Sequence, residues 1–189
     1  GVVVASTSGN NVMRLFFALW PDKDTQQQWH DTLAAYVKPL GGHRVPAANL
    51  HLTLAFLGEV PGTRINTLLR LGDDLSHEPF TLRLDRIESW KKPGLACLRP
   101  ADEPAALLRL AGQLQTGLQR EGFVTEARRF KPHVTLARQV IIPSDSLPVW
   151  PVLEWPVTSL ALVRSERTPE GSHYHCVGQW PLSVPPTGR

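Results

Sequence analysis

The sequence predicts an α+β protein built on antiparallel sheet, and three observations carry that reading. Strand-like and helix-like segments follow one another without the regular β-α-β alternation of parallel sheets, and several strands adjoin as hairpins do. Apolar residues make up 42% of the 189 residues, with no low-complexity tract, enough for a sizeable core in one domain or in two small lobes sharing an interface. Two segments, His51-Leu52-Thr53-Leu54-Ala55 and His133-Val134-Thr135-Leu136-Ala137, read almost alike, one in each half of the chain. Each follows a predicted helix, which points to a duplicated lobe, although no other internal repeat is visible.

Val12 to Trp20 is apolar and aromatic, with the length of a buried strand. Pro21-Asp22 then opens a helix, with Asp22 or Asp24 as its cap. Trp29, Leu33, Tyr36 and Val37 recur at helical spacing until Pro39 and Gly41-Gly42 stop it. The first motif strand is expected from Asn49 to Leu57, after a loop to Pro46. A turn follows from Gly58 to Gly62, then a helix from Thr63 to Leu75 with Ile65, Leu68 and Leu69 on one side. Phe80 to Ile87 alternates almost strictly, as a strand with one wet face does. The Lys91-Lys92-Pro93-Gly94 turn leads to a short strand over Gly94 to Arg99. A helix from Glu103 to Glu121 carries Leu107, Leu110, Leu114 and Leu118 on one face, and Gly122 ends it. Phe123-Val124 is expected to start a strand. The second motif strand should run from His133 to Ile142, and Pro143 to Pro151 should be a loop. Leu153 to Arg164 and His173 to Leu182 close the fold as a strand pair around the Thr168-Pro169-Glu170-Gly171 turn. Residues 1–12 are expected to form a flexible extension or tag remnant, 13–183 a single domain, and 184–189 a C-terminal tail.

The net charge of +3 suits an anionic ligand without demanding one. Fifteen of the twenty basic residues are Arg, which favours forked contacts with phosphate. A genome that simply encodes Arg more often than Lys explains that excess as well. The two cysteines, Cys97 and Cys176, form no CxxC, so neither a disulfide framework nor a zinc site is indicated, and a reduced cytoplasmic compartment is expected. The first twelve residues lack the positive n-region of a signal peptide, and no apolar stretch is long enough to cross a membrane. No membrane partner and no obligate protein partner are expected, and the chain should act as a monomer.

The chemistry lies in the paired motifs. Side chains two apart on a strand share a face, so His51 joins Thr53, and His133 joins Thr135. The aliphatic residues between them can join a core. Two imidazoles can divide acid and base work near neutral pH, one taking a proton from water and the other giving one to a leaving oxygen. Two threonine hydroxyls can hold the non-bridging oxygens of a phosphodiester. Neither motif is flanked by Asp or Glu, which argues against a carboxylate metal cage, and no cofactor or metal is expected. A single such motif is weak evidence, because a lone strand histidine is more often structural. A second copy with the same aliphatic fillers and the same following Ala reverses that balance. The near-symmetry of the two leaves open which histidine is the acid.

These motifs resemble those of the 2H phosphoesterase superfamily. Asn49 to Glu59, the start Arg14-Leu15-Phe16-Phe17-Ala18, the run Phe130 to Arg138 and the ending Tyr174-His175 to Trp180-Pro181-Leu182 look like its bacterial RNA 2′,3′-cyclic phosphodiesterase branch, the LigT-like proteins also called 2′-5′ RNA ligases. The resemblance covers about residues 13–183. It implies a bilobal α+β fold with two antiparallel sheets facing a central cleft. It also implies metal-independent hydrolysis of RNA or oligonucleotide ends bearing a 2′,3′-cyclic phosphate to 2′-phosphomonoesters, with 2′-5′ ligation as a reverse activity. In that assignment His51 is the acid that protonates the departing 3′ oxygen, and His133 is the base that activates water. The resemblance also casts Phe56 as a stacking platform for the terminal base and Arg138 as a phosphate ligand.

Phe56 and Arg138 each lie five residues after a motif histidine. Strict alternation puts that odd offset on the opposite face, so both roles require a strand end, a bulge or a long reach. Burial in the core is an equal alternative for Phe56. Arg138, ending an apolar strand, needs a partner. His173-x-His175 offers two ligands on one strand face but no third, so a structural or exposed pair is the better reading. Arg128-Arg129-Phe130-Lys131 either tracks an RNA backbone or is a solvated turn. His30 reads as a helix-surface residue, His43 as a residue of the cleft mouth, and Phe16 as packing. Two rival functions remain: a 2H phosphodiesterase for a small cyclic nucleotide phosphate, and a module that binds a nucleotide or RNA end without turnover. Intact His and Thr in both motifs count against the second.

Overall fold

A computed structural model describes residues 11–91, 94–126, 129–141 and 146–183. In chain order they form β1 (Val12–Leu19), α1 (Lys23–Val37), β2 (His43–Arg44), β3 (Leu52–Pro61), α2 (Ile65–Asp74), β4 (Phe80–Trp90), β5 (Leu95–Arg99), α3 (Ala105–Arg120), β6 (Val134–Arg138), β7 (Leu147–Val157), β8 (Ser159–Thr168) and β9 (Gly171–Pro181). The fold is α+β. Its strands make one antiparallel sheet in the order β7-β4-β5-β6-β3-β1-β8-β9, with β2 added alongside β6. Two four-stranded halves can be traced in that order, β7-β4-β5-β6 and β3-β1-β8-β9. They are joined through a single residue pair, Leu52 of β3 with Val134 of β6.

The helices cover one face of this sheet. The Asp22 side chain caps α1 by accepting from the Thr25 amide at 2.7 Å, as the motif Pro-Asp at a helix start predicts. Trp29 of α1 then meets Trp155 of β7 edge-on at 5.2 Å. Gly72 of α2 lies under the Trp180 indole of β9, leaving no room for a Cβ, and Trp180 Nε1 donates to Asp73 at 2.7 Å. The apolar face of α3, Leu107, Leu110, Leu114 and Leu118, is buried in the same core. On β1 the residues Leu15, Phe17 and Leu19 point into that core, while Phe16 and Ala18 point the other way. There they join Ala161 and Val163 of β8 in a second, small cluster flanked by Trp20 and Tyr174.

Several elements depart from expectation. Gly58 to Gly62 is no turn: β3 runs on to Pro61, and Gly58, at φ 65°, marks a bulge where β1 passes from Phe16 to Leu15. Phe123-Val124 starts no strand, and Val124 is exposed. The second motif strand is shorter than expected and ends at Arg138, while Ile142 lies outside the described residues. Of the predicted loop from Pro143 to Pro151, residues 143–145 lie outside the described residues and Leu147 onward is strand. β7 begins at Leu147 and keeps its prolines because it is the edge strand, where a missing backbone N–H is tolerated. The predicted strand Leu153 to Arg164 is two strands, β7 and β8, divided at Thr158. The two-residue strand β2 carries no periodicity to be read. Residues 1–10 of the expected extension and all of 184–189 lie outside the described residues, and Val12 already pairs with Pro61.

Candidate active site

The one pair that joins the halves also joins the motifs. With Leu52 opposite Val134 in antiparallel register, His51 and Thr53 flank it on one strand, and Thr135 and His133 flank it on the other. The register therefore relates the two motifs by a local two-fold, with His51 beside Thr135 and Thr53 beside His133.

The odd offset of Phe56 and Arg138 is resolved by a matched irregularity. β1 pairs Ala18 with Thr53 and then Phe17 with Ala55, passing over Leu54. β5 pairs Cys97 with Thr135 and then Ala96 with Ala137, passing over Leu136. Each motif strand thus has a bulge at the same place, and the extra residue reverses the alternation beyond it. Leu54 with Ala55, and Leu136 with Ala137, all turn toward the core. An alanine thus stands beside a leucine on the core side of each bulge. Phe56 and Arg138 come back to the histidine face as a result. Phe56 stands opposite Phe16, their rings 6.1 Å apart, and the Phe16 ring is 5.1 Å from that of His51. At 54% exposure Phe56 is no core residue, so its ring is available to a ligand. Arg138 is exposed at the end of β6, opposite Leu95 on one side and His43 on the other, which sets His43 at the rim of the same face.

Both imidazoles are fixed by the same device. His51 Nδ1 donates to the Asn49 carbonyl at 2.7 Å, and His133 Nδ1 donates to the Lys131 carbonyl at 2.8 Å. A carbonyl only accepts, so each Nδ1 carries the hydrogen and each Nε2 is left free for proton transfer. The carbonyl just before each histidine is also held. Gln26 of α1, buried, donates to the Leu50 carbonyl at 2.9 Å. Arg99 of β5 donates through Nε to the Pro132 carbonyl at 3.1 Å, its guanidinium steadied by Glu88 at 2.7 Å and Glu103 at 3.4 Å.

The surroundings of the two rings differ. His51 sits in an aromatic cage: Trp20 stacks on it at 4.7 Å with ring planes 5° apart, and Tyr174 meets it edge-on at 5.1 Å. Burial lowers its pKa to about 4, and the charges of Arg138 and His133 push the same way. His133 meets the Trp90 ring edge-on at 4.7 Å, and the Lys131 ammonium lies over that indole at 4.5 Å. Its pKa is lowered too, by burial first and then by Arg99, Lys131 and Arg138. That both histidines feel Arg138 sets its charge near both. Cys97 lies opposite Thr135. Burial raises that thiol to about 12, so it is no nucleophile. A cavity of about 280 Å³ touches both motifs, with Thr53, Phe56, Trp90, Arg129, Lys131 and His133 in its wall.

Trp20, Tyr174, Trp90, Gln26 and Arg99 are the site residues that sequence reasoning passed over. Trp20 directly precedes the Pro-Asp helix start and Tyr174 opens the quoted C-terminal run, but their approach to His51 depends on strand order. Arg128 of the basic run lies outside the described residues. His173 and His175 are exposed on β9, where His175 Nε2 is 3.3 Å from Glu166.

Two paired imidazoles and two hydroxyls share one sheet face beside an exposed arginine and an exposed phenylalanine, the arrangement expected of a two-histidine phosphoester site. The chain belongs to the LigT like Phosphoesterase family, a branch of the 2H phosphoesterases, whose model matches residues 19–96 and again 98–174, one stretch for each motif. It is 32% identical over 173 residues to the RNA 2′,3′-cyclic phosphodiesterase of Escherichia coli, covering 90% of this chain and 97% of that protein. It is 36% identical over 181 residues to the RNA 2′,3′-cyclic phosphodiesterase of Thermus thermophilus, covering 90% of each. Among solved structures, E. coli LigT in apo form superposes with a TM-score of 0.84 at 31% identity, covering 92% of this chain and 99% of that one. The same protein has also been solved in complex with 3′-AMP, with a TM-score of 0.84.

Proposed function

We propose that this chain hydrolyses the 2′,3′-cyclic phosphate at an RNA or oligonucleotide end to a 2′-phosphomonoester, without a metal. The observation that carries the reading is the pair of Nδ1-anchored histidines, each with a free Nε2, flanking the pair that joins the halves. Water attacks phosphorus while His133 Nε2 takes its proton. The bond from phosphorus to the 3′ oxygen breaks, and protonated His51 supplies that oxygen's proton. Thr53 and Thr135 hold the non-bridging oxygens, and Arg138 offsets their charge. Phe56 stacks on the terminal base. The bound phosphate is an anion, so it raises the pKa of both rings and charges His51 as the substrate arrives. The same acid and base serve 2′-5′ ligation in reverse. The enzyme works as a monomer in a reduced compartment, where Cys97 and Cys176 are free thiols.

One assay tests this. The protein is incubated with an RNA ending in a 2′,3′-cyclic phosphate in the presence of EDTA, and the product terminus is identified. A 2′-phosphate formed at the undiminished rate is expected. A 3′-phosphate would overturn the cleavage direction, loss of turnover rescued by a divalent ion would overturn the metal-free mechanism, and no turnover at all would favour a binding module.

A further inference from the structure

The aromatic half of the site opens, on the side of His51 away from Phe56, into a larger cavity of about 620 Å³ that the reaction just described does not use. Its volume is in the range of small-ligand sites. It shares a wall with the histidine cage, because Trp20 and Tyr174 line both. Ala161 and Val163 form its floor, and Asp22, Ser159 and Gln179 bring polar groups to its edge. Among the described residues, no Lys or Arg lines it. A phosphate would face the Asp22 carboxylate with no cation in the wall to offset it, so the cavity is unsuited to nucleic-acid backbone. A planar neutral heterocycle suits it better: a ring to stack on Trp20, whose stack on His51 it would extend, and amino or imino hydrogens for Asp22 and Gln179 to accept.

From this, and resting on the phosphodiesterase reading above, we propose that the cavity is a second base subsite, which takes the base of the nucleotide preceding the cyclic phosphate end. Phe56 stands across from Phe16, and Trp20 lies four residues farther along the chain from Phe16. From ring to ring, Phe56 to Phe16 is 6.1 Å, Phe16 to His51 is 5.1 Å and His51 to Trp20 is 4.7 Å, so the Phe16 and His51 rings stand between the two platforms. Stacked neighbours in a nucleic acid lie only about 3.4 Å apart. The two bases are therefore splayed to either side of the His51 ring, in the manner of single-stranded RNA on aromatic platforms. The subsite makes the enzyme prefer oligonucleotide ends over mononucleotide cyclic phosphates.

The test compares kcat/KM for three substrates: a mononucleoside 2′,3′-cyclic phosphate, a dinucleotide ending in the same group, and that dinucleotide with an abasic 5′ residue. The dinucleotide should be favoured over the mononucleotide by about tenfold or more, and the abasic form should lose that gain. Gln179→Trp, at an exposed position where a new indole fills the cavity, should bring the dinucleotide-to-mononucleotide ratio toward one. Equal kcat/KM for all three substrates would overturn the subsite while leaving the phosphodiesterase reading intact. So would a preference unaffected by base removal or by Gln179→Trp. Failure to turn over any of the three would instead strike the underlying reading.

Discussion

Replacing Trp20 with alanine should raise the pKa of His51. The wild-type ring is depressed from 6.5 to about 4, and burial is the largest cause. The Trp20 indole, stacked at 4.7 Å, closes one whole face of the imidazole. A depression of that size is worth about 3 kcal/mol of preference for the neutral ring. Opening one face to water should return about one unit or more of it. The sign fixes the stability consequence. Above pH 6.5 the ring is neutral both folded and unfolded, and its full contribution is present. As pH falls from 6.5 toward 4 the unfolded chain takes up a proton that the folded chain refuses, so stability is lost by up to about 3 kcal/mol. Trp20→Ala should narrow that window from its lower end.

Titration of the histidine ring signals by NMR, on the free protein, reads the pKa without reference to substrate binding. Denaturant melts between about pH 4 and 7 read the stability. Kinetics give an independent check: with both rings depressed, the bell-shaped profile of kcat/KM, which reports the free enzyme, should peak below pH 6.5. A His51 that titrates near 6.5 in the wild type, or at the same pH with and without Trp20, would refute the reasoning.

His51→Ala and His133→Ala should each lower turnover by about 10²- to 10⁴-fold, and Thr53→Ala and Thr135→Ala by about 10- to 10³-fold, measured on a cyclic-phosphate RNA end. A single histidine variant with near-normal turnover would remove that residue from the mechanism. Arg138→Lys keeps the charge but loses the fork, so kcat/KM should fall; unchanged kinetics would return Arg138 to a structural role. Arg99→Met frees the Pro132 carbonyl and removes a charge that depresses His133. It should cut kcat by up to about 10²-fold and raise the pKa of His133, and an unmoved pKa would limit Arg99 to packing.

The motifs were legible because they need only local information. A period of two, aliphatic fillers and a repeated alanine are all visible within a few letters of sequence. Helix starts and stops were legible for the same reason: Pro21-Asp22 and Gly122 act on their immediate neighbours. What strand pairing decides was not. The edge position of β7 makes a proline-rich segment extended, and only the register of β1 on β3 turns Gly58 from a turn signal into a bulge. The same limit hid Gln26 and Arg99. Each acts on a backbone carbonyl far away in sequence, and a carbonyl carries no letter.

The backbone around the site is nearly two-fold, but its halves are chemically unlike, and that difference bears on the proposed proton traffic. His51, in its aromatic cage, is lowered to about 4 by burial, so once charged by the bound phosphate it is a strong acid. His133, outside that cage and met edge-on by Trp90, is left to take the proton of the attacking water. The asymmetry therefore predicts that His51 serves the departing 3′ oxygen. A cyclic substrate with sulfur in place of that oxygen separates the roles, because a thiolate departs without being protonated. His51→Ala should recover most of its lost rate on the sulfur substrate, whereas His133→Ala, still lacking the base that activates water, should stay slow. Rescue of His133→Ala instead would exchange the two roles, and rescue of neither would mean that leaving-group protonation is not what His51 contributes.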